Sequence, residues 1–322
     1  MDGPKVSILI PTYRQAGLVL RAVESALAQT YAPLEVVVCD DSPDTDTQAL
    51  LAPLLESEPR LRYAKNATPL GRVGNYHQAL YTRAQGDWVL MLDGDDFLID
   101  THFITDAMTG VLARKDVVFA QGGGEIRLQT ADGTQALLSV RLPDIAGVCG
   151  WQDGAEYVRR FPSKRRFLHL ATLYNREMAL KLGFYEQDLL SSDLESLLRL
   201  ALHGKVFLLK RPVGVWLWHE SNASRSAPVA VLEDNTRWAR LVAAYASVQH
   251  FWSERRAKRW ANKVRTHEMV GVLLREIKSL KSQNKSKQEI SIYTKDFIKR
   301  HPYLRRHPLW WKKRLTHYFS AN

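Results

Sequence analysis

The first hundred residues alternate between short runs rich in β-branched residues and longer stretches with helical spacing. "KVSILIPTY", "LEVVVCDDS", "RLRYAKN" and "DWVLMLDGDD" read as strands. Most of these runs lack the polar alternation of a half-exposed strand. Between them, "AGLVLRAVESALAQT" places Leu18, Val23 and Leu27 on one helical face. "DTDTQALLAPLLES" opens with capping residues, and "VGNYHQALYTRAQG" is a helix closed by Gly86. The order β-α-β-α-β-α-β predicts an α/β fold, a Rossmann-like, mostly parallel sheet flanked by helices. Ligands of such sheets lie beyond the carboxyl ends of the strands. Three of those ends carry Pro11-Thr12-Tyr13, Asp40-Asp41 and Asp93-Gly94-Asp95-Asp96, which should converge on one crevice.

Charge divides the chain. From residue 236 onward there are 21 Lys/Arg and 5 Asp/Glu, whereas the first 235 residues hold 24 and 29. A mildly acidic body, 1–235, is therefore expected to precede a strongly basic helical extension, 236–322. No apolar run reaches the ~18 residues of a membrane span. Cys39 and Cys149 are the only cysteines, so a disulfide framework is not expected and a reducing cytoplasm is. The start, "MDGPKVSILIPTYR", makes a poor signal peptide.

The candidate chemistry lies in "MLDGDD". "IPTYRQAG" lacks the glycines of a dinucleotide loop, and no G-x-x-x-x-G-K-[ST] occurs. Carboxylates at a strand end suggest a different way to hold phosphates. A hard cation, Mn²⁺ or Mg²⁺, would be held by acids and would itself hold a diphosphate.

Six stretches resemble family 2 glycosyltransferases with the GT-A fold. They are "VSILIPTYRQ", "LEVVVCDDSPDTDT", "LGRVGNYHQAL", "GDWVLMLDGDD", "LLSSDLESLLRLALHGKVFLL" and "WLWHESNAS", in the family's order across roughly residues 5–225. The resemblance implies a nucleotide-sugar half at about 1–100 and an acceptor half at about 101–235. It implies that Pro11, Thr12 and Tyr13 line the nucleobase pocket and that Asp41, beside Asp40, bonds the base. Arg72 would approach the base or diphosphate, and Asn75 would open the following helix. Asp93 would contact the ribose, and Asp95 and His219 would hold the metal. Asp193 would be the catalytic base of an inverting transfer. The family usually has Glu-Asp where this chain has Ser192-Asp193, so Glu195 competes with Asp193. The donor implied is a nucleotide-sugar, by default a UDP-sugar. The acceptor implied is a glycan or lipid-linked hydroxyl.

Plainer readings compete at several positions. Asp40 and Asp41 suit a turn that caps the next helix, and Asp96 and Asp193 suit helix caps. His219 suits a buried, hydrogen-bonded histidine. "RRFPSKRR", 159–166, suits either a solvated stretch or a grip on phosphates. A nucleotidyltransferase would also use acids and Mg²⁺, but would show a glycine- and basic-rich first loop. A nucleic-acid binder could use the basic tail, yet no recognised motif supports a specific nucleic-acid partner.

In the tail, Leu241, Tyr245, Val248 and Trp252 recur at helical spacing. Helices in 236–285 are expected to pack on the catalytic domain or to form a homo-oligomer. "SLKSQNKSKQE" reads as a flexible connection. The aromatic and basic stretch 300–319 suits an anionic membrane surface, which would make the protein peripheral on the inner face of the cell membrane.

Overall fold

The structure, a computed structural model, describes residues 3–130, 133–143, 150–161, 168–220, 222 and 226–306. The chain divides into two compact units, 1–225 and 226–322.

In the first unit, β1 (Val6–Thr12), β2 (Leu34–Asp40), β3 (Leu61–Lys65) and β4 (Trp88–Met91) form the expected parallel half-sheet, ordered β3-β2-β1-β4. Helices α1 (Ala16–Leu27), α2 (Asp46–Ser57) and α3 (Gly71–Gln78) alternate with these strands. A π-helical turn, Ala79–Arg83, continues α3. Val6, Ile8, Ile10, Val36, Val38 and Leu90 are fully buried, which accounts for the apolar runs. Helix α1 turns Val19, Ala22, Val23 and Ala26 inward, while Leu18 and Leu27 are only half-buried.

Beyond β4 come β5 (Phe97–Leu98), α4 (Phe103–Leu112), β6 (Val117–Gln129), β7 (Gln135–Arg141), β8 (Gly150–Asp153) and α5 (Gly154–Arg160). They are followed by β9 (Thr172–Asn175), α6 (Arg176–Lys181), α7 (Ser192–Ala201) and β10 (Lys205–Trp218). The sheet continues β4-β9-β6-β10-β5, with β7 on β6 and β8 on β10. Strand β9 enters antiparallel between β4 and β6. Parallel pairing therefore dominates the N-terminal half, and mixed pairing the rest. The antiparallel entry of β9 leads through α6 to α7, the helix that carries Asp193.

The second unit contains α8 (Val229–Asn235), α9 (Trp238–Val248), α10 (Glu254–Ser282) and α11 (Lys287–Arg300). The division falls ahead of the charge boundary because α8, though it carries acids, belongs to the helical unit. Its Glu233 pairs with Arg300 of α11 at 3.0 Å. Helix α9 buries Trp238, Ala239, Val242, Ala243 and Ala246, so its inner face differs from the one expected, and Val248 is 70% exposed. These small side chains leave room for aromatic rings, and Trp238 and Trp252 both pack edge-on to Trp260 of α10. A second core joins Met269, Leu273 and Ile277 of α10 to Ile290 and Phe297 of α11. The polar stretch expected as a flexible connection is mostly helix. It breaks only at residues 283–286, where Asn284 has φ +58°. Ser286 then caps α11 in a capping box with Glu289. Among the described residues, no helix is long and apolar enough to cross a membrane. Residues 307–319 of the expected membrane segment lie outside the described residues.

Candidate active site

Main-chain bonds tie the three strand ends together. Asp41 N–H donates to Thr12 O at 2.9 Å, and Gly94 N–H donates to Pro11 O at 3.0 Å. A Cβ at Gly94 would lie 2.9 Å from Thr12 Cβ and Oγ1, so only glycine allows the "DGDD" turn to close on β1. Tyr13 is 49% exposed beyond β1. Arg14 follows at φ +53° and donates its amide to Ser42 Oγ at 2.8 Å. This is a conformation that non-glycine residues adopt uncommonly.

The two acids at the end of β2 are both buried and have different partners. Asp40 accepts from Ser42 N–H at 2.9 Å and Tyr63 Oη at 2.7 Å, closing the turn. Asp41 caps a helix, but α3 rather than the next one, α2. Its Oδ1 accepts from Leu70 N–H and Asn66 Nδ2, both at 2.7 Å, and its Oδ2 accepts from Gly71 N–H at 2.9 Å. The exposed amides of a helix start attract a carboxylate. Asn75 does not open α3. It lies inside the helix, buried, and donates to Cys39 O at 2.8 Å.

Asp93, Asp95 and Asp96 each present an oxygen within 4.8 Å of the others. Burial pushes the Asp93 pKa up to about 7, reinforced by the Asp95 charge and opposed by Tyr76 and Arg72. Burial also raises Asp96, with Asp95 and Asp93 adding to it. So much crowded negative charge, offered by oxygen atoms alone, fits a hard divalent cation. Asp96 is not a helix cap. Its Oδ1 accepts from Leu217 N–H at 2.9 Å and ties the turn to β10. His219 Nε2 lies 2.8 Å from Asp95 Oδ2, which also accepts from Asn222 Nδ2 at 3.0 Å. His219 thus meets the carboxylate of Asp95, while the three mutually close oxygens are those of Asp93, Asp95 and Asp96.

Arg72 links this cluster to the second half of the unit. Its Nη2 donates to Leu189 O at 2.9 Å and Leu190 O at 2.6 Å, in the loop before α7. Its guanidinium lies 5.1 Å from the ring centre of Tyr76, whose hydroxyl donates to Asp93 Oδ1. Burial works against the Arg72 charge, but Tyr76, Asp193 and Asp93 around it raise its pKa above the ordinary value.

Asp193 and Glu195 are now distinguishable. Helix α7 starts at Ser192 with Ser191 as its N-cap, so Asp193 lies in the first turn and is not the cap. Its side chain is 20% exposed and has His169 Nδ1 at 3.9 Å. Glu195 is buried in a two-point ion pair with Arg199, at 2.6 and 3.0 Å. Arg199 also donates to the carbonyls of Leu182 and Gly183. Glu195 therefore holds Arg199, which fastens α7 to the preceding turn. Arg159 and Arg160 pair with Glu156 of α5, and residues 162–166 of that basic run lie outside the described residues.

Four residues that sequence reasoning did not name belong to this constellation. Tyr76 and Asn222 lie inside quoted segments, so their membership of those segments was the available signal. His169 and Tyr185 lie outside those segments, and nothing in the local pattern marks them.

Comparison with known proteins bears on the family and the fold. Residues 7–127 match the family described as "Glycosyl transferase family 2". A relative from Campylobacter jejuni, "GalNAc(5)-diNAcBac-PP-undecaprenol beta-1,3-glucosyltransferase", is 33% identical over 97 residues, 30% of this chain and 31% of the relative. The Escherichia coli "UDP-Glc:alpha-D-GlcNAc-diphosphoundecaprenol beta-1,3-glucosyltransferase WfgD" is 30% identical over 126 residues, 39% of this chain and 48% of the relative. The chain thus spans less than half the length of these relatives. Staphylococcus aureus TarS 1–349, solved with UDP-GlcNAc, superposes with a TM-score of 0.62 at 19% identity, covering 81% of this chain and 71% of TarS. The mannosyltransferase PcManGT of Pyrobaculum calidifontis, solved with GDP-Man and Mn²⁺, gives 0.53 at 17% identity, covering 94% and 84%. The likeness to these two structures establishes the fold.

Proposed function

We propose, from the premise that this chain carries a family 2 glycosyltransferase domain of GT-A fold, that it moves a sugar from a nucleoside-diphosphate donor to a hydroxyl with inversion at the anomeric carbon. The donor is taken as a UDP-sugar and the acceptor as a lipid-linked glycan, in keeping with the names of the bacterial relatives. The observation that carries this reading is that Arg72 lies close enough to both Asp93 of the three-carboxylate cluster and the partly exposed Asp193 to feel the charge of each.

Asp93, Asp95 and Asp96 would hold a divalent cation, Mn²⁺ or Mg²⁺. Such an ion supplies Lewis-acid stabilisation of the charge that develops on the departing diphosphate. His219 and Asn222 hold the Asp95 carboxylate in place from behind. Tyr13 offers an exposed ring for stacking a base. Asp193 receives the acceptor's hydroxyl proton as the oxygen attacks, a role worth ~10²–10⁴-fold. Glu195 is held in its ion pair with Arg199, which favours Asp193 as the base.

The test begins with thermal shifts for a panel of nucleotide-sugars with Mn²⁺, since a ligand specific to the folded state raises its stability. Asp193→Asn should then keep donor binding while kcat falls at least ~10²-fold. Release of pyrophosphate instead of a nucleoside diphosphate, or undiminished turnover by Asp193→Asn, would refute the reading.

A further inference from the structure

A chain of polar rings lies behind Asp193. His169 Nδ1 is 3.9 Å from Asp193 Oδ2. His169 Nε2 is 2.9 Å from Tyr185 Oη, and Tyr185 Oη is 3.1 Å from Tyr174 Oη. His169, Tyr185 and Tyr174 are 9%, 2% and 0% exposed. Apolar rings would fill the same space without needing partners, so a buried polar chain of this kind calls for a reason.

The backbone gives a second indication. Tyr185 has φ +61°, a conformation that a bulky residue keeps only when its surroundings enforce it. Its amide donates to Ser196 Oγ at 3.2 Å, on α7, the helix that carries Asp193. The contacts therefore close a ring, from Asp193 along α7 to Ser196, to Tyr185, to His169, and back to Asp193. Arg72 and the ring of Tyr76, whose centre is 5.5 Å from that of His169, form the other wall around the imidazole.

We propose that His169 is a positioning residue for Asp193, with its Nδ1–H facing the carboxylate while Tyr185 donates to Nε2 and Tyr174 donates to Tyr185. This rests on the reading of Asp193 as the base. A neutral imidazole has one donor and one acceptor nitrogen. The negative oxygens of Asp193 favour the proton on Nδ1, which leaves Nε2 to accept. Burial keeps the ring neutral by pushing its pKa down to about 4, with the Asp193 charge opposing and Arg72 assisting. At 3.9 Å the pair is an approach rather than a hydrogen bond. Rotation of the partly exposed Asp193 side chain completes the bond and turns its second oxygen toward the acceptor. His169 gives up no proton in this arrangement, and only Asp193 changes protonation state.

The test uses the full chain with ¹⁵N-labelled histidine, the His169 signals being assigned by their loss in His169→Asn. At pH 7 the ring should be neutral with its proton on Nδ1, and Asp193→Asn should move the proton population toward Nε2. A wild-type ring protonated on Nε2, or a tautomer ratio unchanged in Asp193→Asn, would overturn the proposal. For UDP release from UDP-glucose, His169→Phe should lower kcat about 10- to 100-fold, as expected for a misplaced catalytic group. Its KM should change less than about twofold, since only transition-state positioning is lost. His169→Asn, which keeps an N–H donor, should recover most of that loss. A folded His169→Phe protein with unchanged kcat would also overturn the proposal. Full turnover by Asp193→Asn would instead remove the base assignment beneath it, whatever the tautomer.

Discussion

Arg72 donates to the carbonyl of Leu190 at 2.6 Å, joining positions 118 residues apart. The same guanidinium lies over Tyr76, which holds Asp93. One side chain thus sets the spacing between the carboxylate cluster and the helix that presents Asp193. Arg72→Lys keeps the charge but cannot reach two carbonyls and the ring together. We expect its kcat to fall about tenfold or more, as misplacement costs, with the fold retained. Unchanged kcat in a folded Arg72→Lys protein would show that this brace does not matter for turnover.

Asp95→Asn keeps the volume and removes the charge between the other two acids and His219. The variant should stay folded and lose the stabilisation that Mn²⁺ with a nucleotide-sugar gives the parent protein. It should also lose transfer. Thermal melts with and without Mn²⁺ check this, and a wild-type Mn²⁺ response would remove the metal role from the "DGDD" turn.

Glu195→Gln should be a stability variant rather than a chemical one. It leaves Arg199 buried without its carboxylate, and breaking a buried pair typically costs about 3–5 kcal/mol. Chemical denaturation should show that loss, while kcat per folded molecule stays within about threefold, far from the ~10²-fold expected at Asp193. A large kcat defect with normal stability would move the base to Glu195.

His169 should also impose a pH dependence on stability. Its ordinary pKa of 6.5 applies in the unfolded chain, and burial lowers it to about 4 in the folded one. Between these values the unfolded state binds the extra proton, so stability falls as pH drops from about 6.5 toward 4. The full effect is on the order of 3 kcal/mol. His169→Phe should flatten the denaturation free energy across that window by this amount. An unchanged slope would mean that the imidazole takes up its proton as readily in the folded protein as in the unfolded chain.

The extension calls for two truncations. Ending the chain at 285 deletes α11, and with it Ile290 and the fully buried Phe297. Removing a buried phenylalanine alone typically costs about 3–5 kcal/mol. Melting of the helical unit should therefore collapse in that form. Ending the chain at 306 keeps this core and removes only the last basic and aromatic residues. That form should stay folded but fail to sediment with anionic liposomes, to which the full chain should bind less as salt rises. Full-length protein that stays in the supernatant at low salt, or a 306 truncation that still sediments, would end the membrane reading.

By itself the sequence determined the first half of the sheet and the position of the chemistry. Four strands and three helices are legible before residue 100, because burial on both faces makes β1, β2 and β4 apolar and spacing of three and four marks the helices. That topology alone brings Pro11, Asp41 and the "DGDD" turn to one edge. Only the tertiary structure decided which partners each acid has. Asp41 and Asp96 bond to backbone amides of α3 and β10, Glu195 is tied up by Arg199, and Asp193 keeps an accessible carboxylate beside His169. The partners that distinguish them lie up to 121 residues away, as between Asp96 and Leu217. A residue type and its spacing show that a carboxylate is present. Burial and partners, which arise only when the chain closes on itself, decide whether it caps, braces or reacts.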